Sequence, residues 1–171
     1  MTTRPHTIAT ASATVKELYK LALLNREHSY SPYSGCKVGA AVRTSKGKLF
    51  GGCNVENASY GVAICAERTA ITKAISELGR VELTDVIVVC DSDALWPPCG
   101  ACRQFICEFA IPDTKVHLSN LAGTLETVLF EEIFPMGFSP DYLDKAPEGS
   151  HSAPRDPSIL PGMDDGEDGL H

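Results

Sequence analysis

No run of apolar residues in this chain approaches the ~20 needed for a membrane-spanning helix, and no apolar stretch follows a basic start at the N-terminus. The expectation is a soluble, cytoplasmic protein with no membrane partner. Basic charge is scarce as well: 15 Lys and Arg stand against 22 Asp and Glu, a formal charge of −7. Gripping a polynucleotide requires a basic surface that displaces condensed counterions. Nucleic acid is therefore not an expected partner, and a small, weakly charged ligand fits better. Part of the acidic excess is local, because Asp164, Asp165, Glu167 and Asp168 crowd the C-terminus. No internal repeat is visible. Seven cysteines, an odd number without a leader, argue against a disulfide framework and for reduced thiols or metal ligands.

What is present suits one globular domain: 171 residues, 43% hydrophobic. Val15, Leu18, Tyr19, Ala22 and Leu23 recur at helical spacing after Ser12 or Thr14, either of which suits a helix N-cap. Residues 37–43 and 48–54 read as a hairpin about a Ser45-Lys-Gly47 turn. Ala66 to Leu78 carries an apolar helix face and stops at Gly79. The β-branched run Val86 to Cys90 predicts a strand covered on both faces. A helix after Pro98, with Phe105, Ile106 and Phe109 inward, is expected to end at Pro112. A short strand is expected over 115–118 and a helix over 125–134. Strands and helices interleave, so the class is α/β. Beyond Lys145 the composition turns to Pro, Gly, Ser and Asp without hydrophobic period. The expected organisation is a domain over 12–143, with 1–11 and 144–171 mobile.

The chemistry concentrates in two short segments. Cys99-Gly-Ala-Cys102 is a C-x-x-C pair, which alone fits a zinc site, a thiol redox motif or coincidence. Cys65-Ala-Glu67 lies some thirty residues earlier, also at an expected helix start, and Pro98 directly precedes the pair. A cysteine or histidine two residues before a glutamate, followed by P-C-x-x-C, is the signature of zinc deaminases. Cys65, Cys99 and Cys102 would hold Zn²⁺ and leave the fourth tetrahedral position open for water. Three thiolates on one zinc carry a formal charge of about −1, which weakens the pull on a water proton unless positive potential is supplied. Arg68 and Arg103, each directly after a site segment, and the two helix N-termini are expected to supply it. Glu67, not needed as a ligand, is then free to move protons.

These residues resemble the small homotetrameric cytidine deaminases of pyrimidine salvage. The resemblance is carried by Ser29 to Ser34, Val38 to Ala41, Asn54 to Tyr60, Cys65 to Arg68 and Pro98 to Gln104, with a weaker match at Pro135 to Phe138, and spans about residues 12–143. It implies a three-layer α/β/α fold with a mixed central sheet of about five strands, and one zinc per subunit. It implies attack of water on C4 of cytidine or deoxycytidine, with Glu67 protonating N3 and then the leaving ammonia. By the same likeness Asn54 and Glu56 would bind the ribose 3′-hydroxyl, Tyr60 would line the substrate site, and the backbone of Ala66 would read the base edge. Arg68 and Gln104 would donate to the thiolates, and Phe138 would lie over the base of a neighbouring subunit.

The chain departs from that pattern at Cys36, where relatives are expected to carry a phenylalanine against the nucleoside, and at Trp96-Pro-Pro98, where a Ser-Pro is expected. Losing an aromatic wall removes stacking area and widens the pocket. Cys53, Cys90 and Cys107 lack ligand spacing and are expected to pack as small core residues, and His28 and His117, also without partners at ligand spacing, to be structural or solvated. Three rivals remain: a deaminase of the same fold acting on a modified cytosine nucleoside, an antibiotic or a nucleotide; a non-catalytic zinc or thiol module; and an inactive relative kept for binding.

Overall fold

The computed structural model describes residues 6–139 and Tyr142. The chain divides into a unit Met1–Ser139 and a unit Pro140–His171. Only Tyr142, which is exposed, is described in the second. The tail expected over 144–171 therefore lies outside the described residues, as do the first five of the N-terminal segment.

The first unit is built from β1 (His6–Thr7), α1 (Ala13–Arg26), β2 (Val38–Thr44), β3 (Leu49–Cys53), α2 (Ala66–Leu78), β4 (Leu83–Cys90), α3 (Gly100–Cys107), β5 (Ala110–Asn120), β6 (Thr124–Leu129) and α4 (Phe130–Ile133). The six strands form one mixed sheet in the order β1-β6-β5-β4-β2-β3. Only β4 and β5 run parallel, joined by α3; the other neighbours are antiparallel. α1 packs on one face against Ala41, Ile87, Val89 and Leu125. The opposite face carries Ile71 and Ala74 of α2, Ile106 of α3 and Phe130 of α4 over Val42, Val86, Val116 and Leu118. This is the three-layer α/β/α arrangement. Fully burying a side chain such as Ile71 or Ile106 contributes about 1.5–3 kcal/mol, which fastens α2 and α3 to the sheet. No helix among the described residues is long and apolar enough to cross a membrane.

The helix boundaries follow local chemistry. Ser12 caps α1 by accepting from the Val15 N–H at 3.3 Å. Gly79 ends α2 at φ 72°, where a side chain would be strained. α2 also depends on Gly52 of β3, since a Cβ there would stand 2.4 Å from the Ala70 nitrogen and 2.6 Å from the Ala66 oxygen. The bare strand lets the start of α2 rest on the sheet.

Two expectations are corrected. Residues 124–129 form strand β6, followed by the four-residue α4, where the spacing predicts one helix over 125–134. Leu125 and Val128 pack on opposite faces of the sheet, so apolar residues appear on both sides and imitate a helical period. Pairing with β5 around Gly123, at φ 79°, overrides that propensity. α3 ends at Cys107, well short of Pro112, which lies inside β5. The register jumps there from the Leu83–Ala110 pair to the Asp85–Lys115 pair, so the missing proline N–H disturbs no regular ladder. Buried Thr114 closes the irregularity by accepting from the Ile111 N–H at 2.9 Å and donating to the Leu83 carbonyl at 2.8 Å. His6–Thr7 pairs with β6 at the sheet edge, and the Ile8 N–H donates to the Gly123 carbonyl. This edge pair is the sixth strand of a sheet expected to have about five.

His117 is buried, as a structural histidine should be. Its Nδ1 is 2.8 Å from the Thr127 hydroxyl and its Nε2 3.2 Å from the Asp85 carboxylate. Cys90 is buried at the end of β4.

Candidate metal centre and active site

Two helices begin at the same place. Cys65 occupies the N-cap position of α2 and Cys99 that of α3, while Cys102 lies in the first turn of α3. Neither cap is closed by a side-chain hydrogen bond. The free N–H groups and positive dipole ends of both first turns therefore favour thiolate among the sulfurs. The three sulfurs lie within 4.8 Å of one another, and those of Cys65 and Cys99 are 3.9 Å apart. Tetrahedral zinc with Zn–S bonds of ~2.3 Å needs sulfurs about 3.8 Å apart, so the trio fits the ion. Among the described residues this is the only group of three or more His, Cys, Asp or Glu close enough to hold a metal.

The trio is electrostatically asymmetric. A hydrogen bond from the Cys102 thiol outweighs burial at Cys65 and, with Arg68, whose Nη2 lies 3.8 Å from the sulfur, brings the Cys65 pKa to about 5. Cys102 moves the opposite way, because its proton is held in that hydrogen bond and burial penalises its charge. Arg68 Nη2 also donates to the Ala63 carbonyl at 3.0 Å, but Arg68 Nε is buried with no partner. A buried guanidinium N–H without an acceptor is costly. It matches a site whose sulfurs all become thiolates when the metal binds and the Cys102 proton leaves. The donor set thus suits Zn²⁺ on three observations: sulfur spacing, helix placement and this orphaned cation.

Glu67, in the first turn of α2, is only 4% exposed. Burial pushes its carboxyl pKa up, and the neighbouring Cys65 charge adds to the shift. A cavity of about 240 Å³ reaches Cys65, Glu67 and Cys99 and is walled by Cys36, Asn54, Ala66 and Trp96. Glu56 and Tyr60 line a separate cavity of about 370 Å³ with Tyr33 and Ser34. The structure thus brings Cys36, Asn54, Ala66 and Glu67 to the sulfurs, and sets Glu56 and Tyr60 in a second hollow that Ser34 links to the first, its hydroxyl accepting from the Cys36 N–H at 3.0 Å and donating to Glu56.

The polar residues of these walls are held by partners that spacing alone does not reveal. Asn54 Oδ1 accepts from the Ser29 hydroxyl at 2.6 Å and the Val38 N–H at 2.9 Å, and its amide donates to the Cys36 carbonyl at 2.8 Å. One amide N–H of Asn54 is left for a ligand. Glu56 accepts from the Ser34 hydroxyl and from the N–H groups of Tyr33, at 2.9 Å, and Ser34. The Ser34 hydroxyl above all, with those N–H groups, holds the Glu56 carboxyl below its ordinary range. Ser29 and Ser34 carry no expected role, although both lie inside the Ser29-to-Ser34 stretch that signals the resemblance. Two expected helpers of the thiolates are engaged elsewhere. Gln104 Nε2 donates to the Phe138 carbonyl at 2.7 Å. Arg103 donates to the carbonyls of Pro98, at 2.8 Å, and Ile133, at 3.1 Å, bracing the turn that presents Cys99. Phe138 itself is 56% exposed.

The sequence model described as "Cytidine and deoxycytidylate deaminase zinc-binding region" matches residues 12–118. A cytidine deaminase from Halalkalibacterium halodurans is 47% identical over 122 residues, 71% of this chain and 92% of that protein. A blasticidin-S deaminase from Bacillus cereus is 32% identical over 110 residues, 60% of this chain and 76% of that protein. Among solved structures, the cytidine deaminase from Burkholderia pseudomallei superimposes with a TM-score of 0.68 at 42% identity, covering 72% of this chain and 98% of that one.

Arg68 lowers the Cys65 pKa, so removing its charge raises that pKa and leaves more protons for the metal to displace at a given pH. Arg68→Gln is therefore expected to weaken zinc binding roughly 10–100-fold, with the deficit growing as pH falls. Chelator competition against the wild type measures this; equal retention at every pH would refute the role given to Arg68.

Proposed function

Because the chain belongs to the family of zinc-dependent cytidine and deoxycytidylate deaminases, we propose that it hydrolyses cytidine and 2′-deoxycytidine to uridine and 2′-deoxyuridine with release of ammonia. The observation that carries this reading is buried Glu67 lining one cavity with Cys65 and Cys99, two of three sulfurs at zinc spacing. Bound zinc makes a nucleophile of water at neutral pH.

The residues divide the remaining work. Cys65, Cys99 and Cys102 hold the ion. Glu67 takes a proton from the attacking water and passes it to N3 of the base, then takes the remaining proton of the hydroxyl formed at C4 and delivers it to the amino group, which departs as ammonia as the C4 carbonyl forms. Its raised pKa suits a group that must hold a proton and release it within one turnover. The backbone of Ala66, at the start of α2, reads the base edge. Asn54, through its remaining amide N–H, and Glu56, through its carboxylate, take the ribose 3′-hydroxyl, with Tyr60 beside them. Recognition at the 3′-hydroxyl accounts for acceptance of both ribose and deoxyribose. Arg68 steadies the thiolates, while Arg103 and Gln104 hold the Pro98 turn and the Phe138 segment.

Cytidine is preferred over a modified cytosine nucleoside or an antibiotic because the cytidine deaminase relative is more similar and covers more of the chain than the blasticidin-S deaminase. Retention of Glu67 beside the sulfurs disfavours a non-catalytic zinc protein. The working form we propose is a cytoplasmic homotetramer serving pyrimidine salvage. Its assembly would bury Tyr60, Val62, Met136 and Phe138, all more than half exposed on the single chain, and would lay Phe138 over a neighbour's base. Light scattering should give a mass near four chains; a monomer at micromolar concentration would dismiss the tetramer.

Glu67→Gln preserves the shape of the residue and removes its proton transfer. The variant should keep its zinc and lose a hundred- to ten-thousandfold in kcat, roughly the range for a lost acid–base group. Metal content and turnover measured on one preparation decide the matter, and turnover within a few-fold of wild type would take Glu67 out of the mechanism.

A further inference from the structure

Trp96 is the single tryptophan of the chain and is 41% exposed. It stands in the wall of the cavity that reaches Cys65, Glu67 and Cys99, and it is the only aromatic among the described residues lining that cavity. The backbone that carries it is fixed on both sides. On the chain's approach to it, the Cys90 thiol at the end of β4 donates to the Ala94 carbonyl at 4.0 Å. Pro97 and Pro98 then hold φ near −65°, and the Pro98 carbonyl accepts from Arg103 at 2.8 Å. The indole is therefore presented from a braced turn three residues before a metal ligand. Cys36 contributes only a small thiol to the same cavity. An apolar pocket that must hold a flat heterocycle gains most from an aromatic surface, and among the described residues lining this cavity Trp96 is the one that offers it from the chain's own wall.

Resting on the nucleoside reading above, we propose that Trp96 is the aromatic surface against which this chain binds its pyrimidine nucleoside, supplying from the Pro97–Pro98 turn the wall that is lacking at Cys36. Trp96 then governs substrate affinity, while the chemistry stays with Glu67 and the three cysteines. Cys36 fills less of the wall than the indole does, so added bulk on the nucleoside is expected to be tolerated at Cys36 and not beside Trp96.

The indole reports its own contacts, because all tryptophan fluorescence of the protein comes from it. Uridine, the unreactive product, is expected to change that fluorescence in the zinc-loaded wild type along a saturating curve. Trp96→Ala should raise the KM for cytidine roughly tenfold, the scale of a lost base stack, while kcat stays within about twofold. Trp96→Phe should recover most of the affinity, and Cys36→Phe added to Trp96→Ala should recover part. Fluorescence indifferent to saturating uridine, or an unchanged KM in Trp96→Ala, overturns the proposal while leaving the deaminase reading intact. A wild type that neither deaminates cytidine nor binds uridine overturns that reading, and the proposal with it.

Discussion

The meeting of two helix N-termini constrains everything else in this fold. Cys65 and Cys99 come from parts of the chain 34 residues apart, yet their sulfurs must stand 3.9 Å from each other. That is possible because α2 rests directly on β3 over Gly52, where no Cβ intervenes, and because α3 crosses between the parallel strands β4 and β5. The sheet fixes the helices, and the helices fix the sulfurs. A carboxylate in the first turn of α2 is then carried to the same point and buried.

The same geometry answers the electrostatic difficulty of a three-thiolate site. Negative charge gathered in a half-buried place needs compensation. It comes from two helix dipoles and from Arg68, a cation whose buried Nε has no acceptor of its own. The guanidinium is thus poised for sulfurs that have all lost their protons. Arg103 acts mechanically instead, tying the Pro98 turn to the end of α4. Two arginines in equivalent places along the sequence therefore perform different tasks, one by charge and one by hydrogen-bond geometry.

The metal trio could be read from the sequence because each of its two segments is short and stands at a clear helix start. α2 could be read to its ends, since Ala70, Ile71 and Ala74 mark one face and Gly79 supplies the positive φ. β6 could not, because Leu125 and Val128 serve opposite faces of one sheet and mimic a helical period. Only pairing with β5 decides between the two. The partners of Asn54 and Glu56 were likewise hidden: Ser29 and Ser34 lie more than twenty residues away along the chain and meet them only after folding. Trp96 was visible as a departure from the family pattern, but its meaning came from the cavity wall it shares with Cys36.

The central claim is that this chain deaminates cytidine with a zinc ion held by Cys65, Cys99 and Cys102. The most direct test follows the ultraviolet absorbance of cytidine mixed with purified protein, before and after a chelator strips the metal and again after zinc is returned. The account predicts a steady fall in absorbance that stops on stripping and resumes with zinc. Cytidine and deoxycytidine left unchanged by the zinc-loaded protein, or deamination at full rate by protein shown to contain no metal, would contradict it.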